Sequence, residues 1–194
     1  MSIIDEILSF SRVDAGKEVV TRTRLDLVKL VRESAELLEP SAMSRGLTLR
    51  VRAPEHSVEL DSDAGKVRQI ILNLVGNALK FTEKGSIELY VRRRGAHAVV
   101  RVRDTGRGIP ESQLERIFEP FAQADQTHSR VVGGTGLGLT VSRRLAQLLG
   151  GDVHVRRSVL GEGSTFELEL PCAAVTAPAL YPTSVARARE LPPA

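Results

Sequence analysis

Apolar residues recur every three or four positions in some parts of the chain and every second position in others. Four stretches with the helical interval are predicted as helices: 2–14, 28–42, 63–81 and 136–149. Asp63 stands where an N-cap residue would begin the third helix, and Gly46 stands just beyond the second. A shorter helix is expected over 111–117, entered by Pro110.

Alternation of apolar and polar residues predicts the strands. Five stretches show it: 47–52, 87–92, 98–103, 153–156 and 165–170. Two shorter extended pieces are expected at 17–24 and 58–60. Glycine-containing turns at 94–96 and 161–163 join the later strands in pairs, as in antiparallel hairpins. Helices interleaved with hairpins indicate an α+β fold: a two-layer α/β sandwich whose mixed, mostly antiparallel sheet is covered on one face by helices.

The composition is that of a folded domain. Of 194 residues, 42% are apolar, 26% are charged and only 4% are aromatic, so the core must be aliphatic. The net charge of +3 is too small to require a nucleic-acid partner. Cys172 is the only cysteine, which rules out an internal disulfide. No apolar run approaches the roughly 18 residues of a membrane span and no secretory signal is visible, so a cytoplasmic location is expected, whether or not a longer parent protein is membrane-anchored.

The helix predicted over 63–81 carries a polar stripe. Asn73, Asn77 and Lys80 fall within a wedge of roughly 60° if each residue turns the helix by about 100°. Amide oxygens are hard ligands suited to Mg²⁺, and an ammonium group suits a phosphate. The alternative is an ordinary solvent-exposed helix face that happens to be polar.

A second candidate follows the strand predicted over 98–103. It is the run Asp104-Thr105-Gly106-Arg107-Gly108-Ile109-Pro110. A carboxylate accepts hydrogen bonds from an exocyclic amine such as that of adenine, and glycines let the backbone pass close to a flat ligand. The alternative is an ordinary turn.

The third candidate is a glycine-rich run, Gly133-Gly134-Thr135-Gly136-Leu137-Gly138-Leu139, which opens the last predicted helix. Such loops gather backbone N–H groups and the positive end of the helix dipole onto an anion. The alternative is a plain hinge. The run is not a P-loop, because no Gly-Lys-Ser/Thr ends it, and it does not fit the dinucleotide fingerprint, because Leu139 or Val141 would occupy the third glycine position.

Together these segments closely resemble the nucleotide-binding boxes of the histidine-kinase catalytic domain, which has the Bergerat-type ATP-binding fold of the gyrase, heat-shock chaperone, histidine kinase and mismatch-repair superfamily. Four boxes stand in family order and spacing: an N box over 73–82, a G1 box over 104–109, an F box over 117–121 and a G2 box over 134–139. The resemblance covers roughly 20–171, and residues 2–17 resemble the end of the second dimerisation helix of such kinases. It implies three parts: 1–17 from the dimerisation domain, 18–171 as the catalytic domain, and 172–194 as a disordered tail or linker.

The resemblance implies ATP and Mg²⁺ as ligands. It assigns Mg²⁺ to Asn77, with Asn73 beside it, and recognition of the adenine amine to Asp104. The implied catalytic residues are Asn73, Lys80 and Arg130. The implied ATP-binding residues are Asn73, Asn77, Lys80, Phe81, Asp104, Gly106, Gly108, Ile109, Phe118, Arg130, Gly134, Thr135, Gly136, Leu137, Gly138 and Leu139. The stretch from Phe118 to Gly134 is the implied ATP lid, with Phe118 and Phe121 at its base.

The activity implied by the resemblance is that of a protein-histidine kinase, which transfers the γ-phosphoryl group of ATP to a histidine. That histidine belongs to a dimerisation domain largely absent from this chain, because none of the four histidines here (His56, His97, His128 and His154) is followed by the acidic residue and Arg-Thr-Pro-like run of a phosphoacceptor. The implied partners are that phosphoacceptor domain and, downstream, a response-regulator receiver domain. The parent protein is expected to be a homodimer and this fragment a monomer.

Two other activities stay open. An ATP hydrolase of the same superfamily would use a Glu in the N box to activate water, and this chain has Asn73 there. A non-catalytic module that senses ATP or binds a partner is the other. Binding to nucleic acid is not expected, because the runs 92–94 and 156–157 of arginines are predicted to be solvated strand faces without interleaved aromatic residues.

Overall fold

The computed structural model describes residues 3–122 and 135–172 of the chain. The helices are α1 (Ile3–Asp14), α2 (Leu27–Ser44), α3 (Ala64–Phe81) and α4 (Gly138–Leu148). The strands are β1 (Thr23–Asp26), β2 (Thr48–Arg52), β3 (Glu59–Ser62), β4 (Ser86–Arg94), β5 (His97–Asp104), β6 (Asp152–Val159) and β7 (Gly163–Pro171). Among the residues discussed above, Arg130, His128, Gly133, Gly134, most of the implied lid and the tail from 173 onward lie outside the described residues.

The sheet confirms the predicted fold class. Five strands lie in the order β2-β4-β5-β7-β6, and only the β2–β4 pair is parallel. A separate antiparallel pair joins β1 to β3. Both predicted hairpins are present, β4–β5 around Gly95 and β6–β7 around Gly161. The strand predicted over 153–156 is longer than expected, since β6 continues to Val159 after a bulge between Val155 and Arg157.

One predicted element is wrong. The stretch 111–117 is not an α-helix but two single 3₁₀ turns, Glu111–Gln113 and Arg116–Phe118. The N-cap position Pro110 makes no side-chain capping bond. A segment of seven residues gains too few hydrogen bonds to offset the cost of starting a helix, so its packing decides its shape. The strand expected within 17–24 is also displaced, because β1 begins only at Thr23.

Local signals account for α3, the helix that carries the polar stripe. Asp63 is its N-cap, and its Oδ1 accepts a hydrogen bond from Lys66 N at 3.1 Å. Ile70, Ile71 and Leu74 on its apolar face are buried against the sheet. Inward-facing Leu89 of β4, Val102 of β5 and Leu168 of β7 are buried on the other side of this core. The core is aliphatic as predicted, with Phe166 its one buried aromatic residue among those described.

Helix α1 lies against α4. The Arg144 guanidinium pairs with Asp14 and lies 5.0 Å from the ring centre of Phe10, and Gln69 Nε2 donates to Ser9 Oγ at 3.0 Å. A twelve-residue helix is marginal by itself in water, so these contacts to the domain are what stabilise it. None of the helices within 3–122 and 135–172 combines the length and the apolar character that crossing a bilayer would take.

Candidate functional site

Helix α3 holds the two amide side chains of the predicted site half-buried, and the Asn73 side chain contacts α4. Asn73 Nδ2 donates to Gly138 O and to Ser142 Oγ, both at 3.3 Å. Its amide nitrogen thus faces α4, which leaves the amide oxygen for another partner. Asn77, one turn further on, makes no hydrogen bond to any described residue. Asn73 therefore lies at the junction of α3 with the glycine-rich run rather than on an ordinary solvent face.

The end of α3 contacts the Asp104–Ile109 loop. Phe81 O accepts a hydrogen bond from Arg107 N at 3.3 Å. Two cations lie over the Phe81 ring, with Lys80 Nζ at 4.8 Å and the Arg107 guanidinium carbon at 4.7 Å from the ring centre. The negative π cloud of an aromatic face attracts cations, so the Phe81 ring holds the Lys80 and Arg107 side chains beside it.

Asp104 ends β5 as a buried carboxylate, 6% exposed. Its Oδ1 accepts hydrogen bonds from Gly106 N at 2.8 Å and from Ser164 N at 3.2 Å. Burial raises the pKa of the Asp104 carboxyl, and these backbone hydrogen bonds oppose the rise. Oδ2 receives neither bond, so this oxygen is the one placed to accept a hydrogen bond from a ligand.

The two glycines that follow Asp104 are required by the protein's own backbone. A Cβ on Gly106 would overlap Phe81 O, and one on Gly108 would overlap Val159 O. Gly108 also has φ +72°, a conformation that disfavours other residues. The sequence interpretation assigned these glycines to a close approach of a flat ligand. The structure shows that glycine is needed at both positions even without a ligand, because the loop packs tightly between α3 and the β6–β7 hairpin.

The β6–β7 hairpin supports the site, and the sequence analysis missed this. Ile109 N donates to Ser158 Oγ at 2.8 Å, and Ser158 Oγ lies 2.9 Å from Ser164 Oγ. Gly161 N also donates to Arg107 O at 2.8 Å. No local pattern marks a serine 49 residues from its partner. The sequence did predict the hairpin itself. Its contact with the loop after β5 is seen only in the structure.

The glycine-rich run begins α4 and contacts the base of the implied lid. Gly136 has φ +72°, and a Cβ there would lie 2.9 Å from the Phe121 Cα and 3.0 Å from Ala122 O. Thr135 Oγ1 accepts from Leu137 N at 3.2 Å, and Leu137 is fully buried. Leu137, the N-cap of α4, provides no side-chain capping bond. The first turn of α4 therefore keeps N–H groups available to an anion.

Two phenylalanines, Phe118 and Phe121, lie in the described part of the implied lid. Phe118 lies under the Arg143 guanidinium at 4.9 Å, and the Phe121 ring meets the Phe10 ring edge-on at 6.1 Å. Phe121 has φ +62°, which is strained for a bulky residue. The backbone at Phe121–Ala122 lies close to Gly136, so the described residues that flank 123–134 are in contact.

The donor set suits Mg²⁺ rather than a metal held wholly by protein. Among residues 3–122 and 135–172, no group of three or more His, Cys, Asp or Glu side chains could hold a metal ion. The oxygens of Asn73 and Asn77 are the available ligands on α3. Mg²⁺ usually keeps several waters and takes its remaining ligands from substrate phosphates, so a sparse protein donor set of this kind fits it.

Comparison with known proteins places the chain in a family. The family described as histidine kinase-, DNA gyrase B-, and HSP90-like ATPase matches residues 62–174, more than half of the chain. The chain belongs to this family and is a catalytic ATP-binding domain of the histidine-kinase type. This confirms the resemblance drawn from the four boxes.

Particular relatives agree with this assignment. The signal transduction histidine-protein kinase BarA of Escherichia coli K12 is 39% identical over 175 residues, covering 86% of this chain and 19% of the relative. The structure of full-length ShkA in complex with AMPPNP has a TM-score of 0.79 at 35% identity, covering 91% of this chain and 36% of that one. Histidine kinase ThkA in complex with response regulator protein TrrA has a TM-score of 0.70 at 26% identity, covering 88% and 46%. The chain thus spans about a fifth of the length of BarA.

Proposed function

We propose that this chain binds ATP with Mg²⁺ and transfers the γ-phosphoryl group to a histidine on a separate acceptor domain. The observation that carries the proposal is the meeting of three sequence segments at α3. Asn73 bonds to Gly138 at the glycine-rich run, and Phe81 bonds to Arg107 in the loop after Asp104. The complex of full-length ShkA with AMPPNP supports a nucleotide in a fold of this kind.

Asp104 is the proposed adenine-recognition residue. Its Oδ2 would accept a hydrogen bond from the exocyclic amine, since Oδ1 is already occupied by Gly106 N and Ser164 N. Only the ionised carboxylate offers acceptors on both oxygens. Phe81, Gly106, Gly108 and Ile109 would form the walls around the base.

The phosphate groups would lie between α3 and the start of α4. The amide oxygen of Asn77, with Asn73 beside it, would hold Mg²⁺, which when bound offsets the charge of the phosphate oxygens. Lys80 supplies a positive charge, and the first turn of α4 supplies backbone N–H donors. Thr135, Gly136, Leu137, Gly138 and Leu139 carry this backbone. Arg130, Gly134 and Phe118 keep their predicted roles at the lid.

In phosphoryl transfer the protein acts mainly by positioning the reacting groups and stabilising charge, and takes little part in covalent chemistry. The imidazole of the acceptor histidine would attack the γ-phosphorus, and ADP would leave. Asn73 carries an amide where a hydrolase of this superfamily has a general base, so this position cannot take a proton from water. The proposed partners are therefore the phosphoacceptor domain and, after it, a receiver domain. The complex of the histidine kinase ThkA with the response regulator protein TrrA supports the second of these.

Helix α1 fits the proposed remnant of a dimerisation domain. Ile4, Ile7 and Leu8 point into solvent, although the other side of the helix packs on the domain. An exposed apolar stripe of this kind marks a helix that has a partner helix elsewhere. We propose that 1–17 belongs to that domain and that the parent protein is a homodimer.

Two measurements test the proposal. Calorimetric titration with AMPPNP should show binding that tightens with Mg²⁺. Mixing the chain with ATP labelled at the γ-phosphate and a separately prepared dimerisation–phosphoacceptor domain should then label the acceptor, and an acceptor with its histidine changed to Ala should stay unlabelled. Release of inorganic phosphate without acceptor labelling would favour the hydrolase, and binding without transfer would favour the sensing module.

A further inference from the structure

The face of the five-stranded sheet that points away from the helices is rich in arginine. Alternation along each strand sends apolar residues such as Leu89 and Val100 inward and polar residues outward. The outward cations include Arg50, Arg52, Arg92, Arg94, Arg101, Arg103, Arg156 and Arg157, and the outward carboxylates include Glu88, Glu167 and Glu169. We call this set the arginine face. The whole chain has a net charge of +3, so the positive surplus of the molecule is concentrated here.

A buried carboxylate orders the middle of the arginine face. The Glu167 side chain is 1% exposed, and it pairs with Arg101, with Arg94 Nη1 at 3.3 Å and with Arg156 Nη1 at 3.8 Å. Burial alone would raise the pKa of this carboxyl, but Arg101 above all, with Arg156 and Arg94, holds it below its usual range. The Glu167 carboxylate positions three guanidinium groups but neutralises only one of their three positive charges. The remaining charge is thus presented in a defined geometry.

A depression of about 280 Å³ lies beside this cluster. Its lining residues are Tyr90, Arg101, Arg103, Arg156, Arg157 and Thr165. The Nη2 group of Arg101 is buried and has no hydrogen-bond partner among the described residues. Arg157 is paired with Glu162 at 2.9 Å. Four guanidinium groups around one depression, one of them with an unmatched donor, favour an incoming group that carries oxygen acceptors and negative charge.

We propose that the arginine face is a docking surface for an acidic protein segment, with a carboxylate of the partner seated in the depression at Arg103. Guanidinium groups pair with carboxylates through two parallel hydrogen bonds, and the five strands of this sheet contain no lysine. Arginine and tyrosine are enriched at protein interfaces where lysine is depleted, and Tyr90 lies at the centre of the face, 5.9 Å from the Arg52 guanidinium.

Other occupants fit less well. Residues 173–194 of this chain carry Arg187 and Arg189 against one acidic residue, so they do not complement a positive surface. Single-stranded nucleic acid would need aromatic side chains on which bases stack, and Tyr90 is the only outward aromatic residue on these strands. The face measures on the order of 500 Å², taking about 4.8 Å between strands and about 3.3 Å per residue. This is smaller than the roughly 800 Å² per partner of a stable complex, so the docking is of the transient kind.

The test uses the whole chain and three labelled probes in fluorescence anisotropy. The probes are a 12-residue peptide of alternating Glu and Ser, the same peptide with Gln for Glu, and a 12-nucleotide single-stranded DNA. The face variant is Arg92→Glu with Arg103→Glu, and a milder form is Arg92→Gln with Arg103→Gln. The matched control reverses two exposed charges on α2, Lys29→Glu with Arg32→Glu.

We expect the acidic peptide to bind, the Gln peptide not to bind, and the face variants to weaken binding at least tenfold while the α2 control changes it less than twofold. Absence of binding at about 1 mM peptide overturns the proposal, as does an equal loss in the control. DNA that binds more tightly than the acidic peptide, with the same dependence on Arg103, assigns the face to phosphates instead. Sedimentation that shows self-association reduced by the face variant assigns it to a second copy of this chain. Circular dichroism of each variant confirms that it is folded.

Discussion

The two ends of the proposed nucleotide site are built differently. At the adenine end, Asp104 and Ile109 are tied to the β6–β7 hairpin by hydrogen bonds of 3.2 Å or shorter, and overlapping backbone excludes any side chain at Gly106 and Gly108. At the phosphate end, Asn73 makes two longer bonds of 3.3 Å, and Asn77 bonds to no described residue. In the proposed site, a base would therefore bind a surface that is already arranged, whereas the groups proposed for the phosphates would obtain their partners from the ligand.

This difference has a physical reason. Adenine is a rigid, neutral ring system, and a preorganised pocket recognises it without spending binding free energy on ordering side chains. A triphosphate with its cation carries charge that changes during transfer, so the groups around it must adjust as the reaction proceeds. Substitutions and pH changes at the two ends should therefore have different effects on nucleotide binding.

Asp104→Asn should weaken AMPPNP binding about 100-fold, or ~2.8 kcal/mol. The amide oxygen can still accept from Gly106 N and Ser164 N, but the amide nitrogen would face the adenine amine as a second donor. Isothermal titration calorimetry measures the loss. Because burial already disfavours the ionised carboxyl, the melting temperature should change little. Near-normal affinity would show that Asp104 does not bind the base.

Asn77→Ala should abolish the gain in AMPPNP affinity that Mg²⁺ provides, a gain expected to be about tenfold. The side chain has no structural partner to lose, so the effect should be confined to the metal titration. Gln69→Ala is the matched control, since it removes an amide two turns earlier on the same helix that bonds only to Ser9. A metal titration that is unchanged in the Asn77 variant would contradict the assignment.

Acid should weaken nucleotide binding through Asp104. The pKa of this carboxyl is raised in the folded protein, so it takes up a proton at a higher pH than an ordinary aspartate, and the protonated form no longer offers two acceptors. Affinity for AMPPNP should therefore be full well above the raised pKa and fall as the pH drops through it. Inorganic tripolyphosphate, which has no base, is the control for titration of the phosphates. An equal fall for both ligands would remove Asp104 as the cause.

The contribution of Asp104 to folding stability depends on pH in the opposite sense to its contribution to nucleotide binding. A carboxyl whose pKa is raised on folding is less costly to the folded state when protonated, so its unfavourable contribution is present above that pKa and fades as the pH falls through it. Glu167 has the reverse behaviour, because its pKa is lowered and its favourable contribution is lost at low pH. As the pH falls, loss of binding should thus precede loss of structure, which circular dichroism can follow in the same samples.

Ser158→Ala should weaken AMPPNP binding about fivefold, or ~1 kcal/mol, because Ile109 N loses its acceptor and the loop after Asp104 becomes less constrained. The change should raise KM for ATP more than it lowers kcat, and Ser158→Thr should restore part of the affinity. Ser44→Ala removes an exposed hydroxyl that bonds to Ser41 O and serves as the control. An unaltered KM would show that the β6–β7 hairpin does not position the adenine end.

Prediction from the sequence succeeded where the determinants are local. The N-cap at Asp63 and the helical period of the residues after it are enough to define α3, and alternation defines β4 and β5. It failed at 111–117, where a short segment takes its shape from its neighbours. The roles of Asn73, Asn77 and Lys80 stay predictions, although their position beside the glycine-rich run is now observed for Asn73.

The order of residues along the chain establishes which residue types are available and at which spacing: a carboxylate before two glycines, two asparagines one helical turn apart, and a glycine-rich run that begins a helix. Helical and strand periods are properties of neighbouring residues, so they can be read along the chain. The packing of the sheet, by contrast, brings Ser158 and Ser164 to the loop after Asp104 and places arginines from neighbouring strands on one face around Glu167. These contacts join residues tens of positions apart, and their register depends on the packing of the whole sheet, which no local pattern encodes.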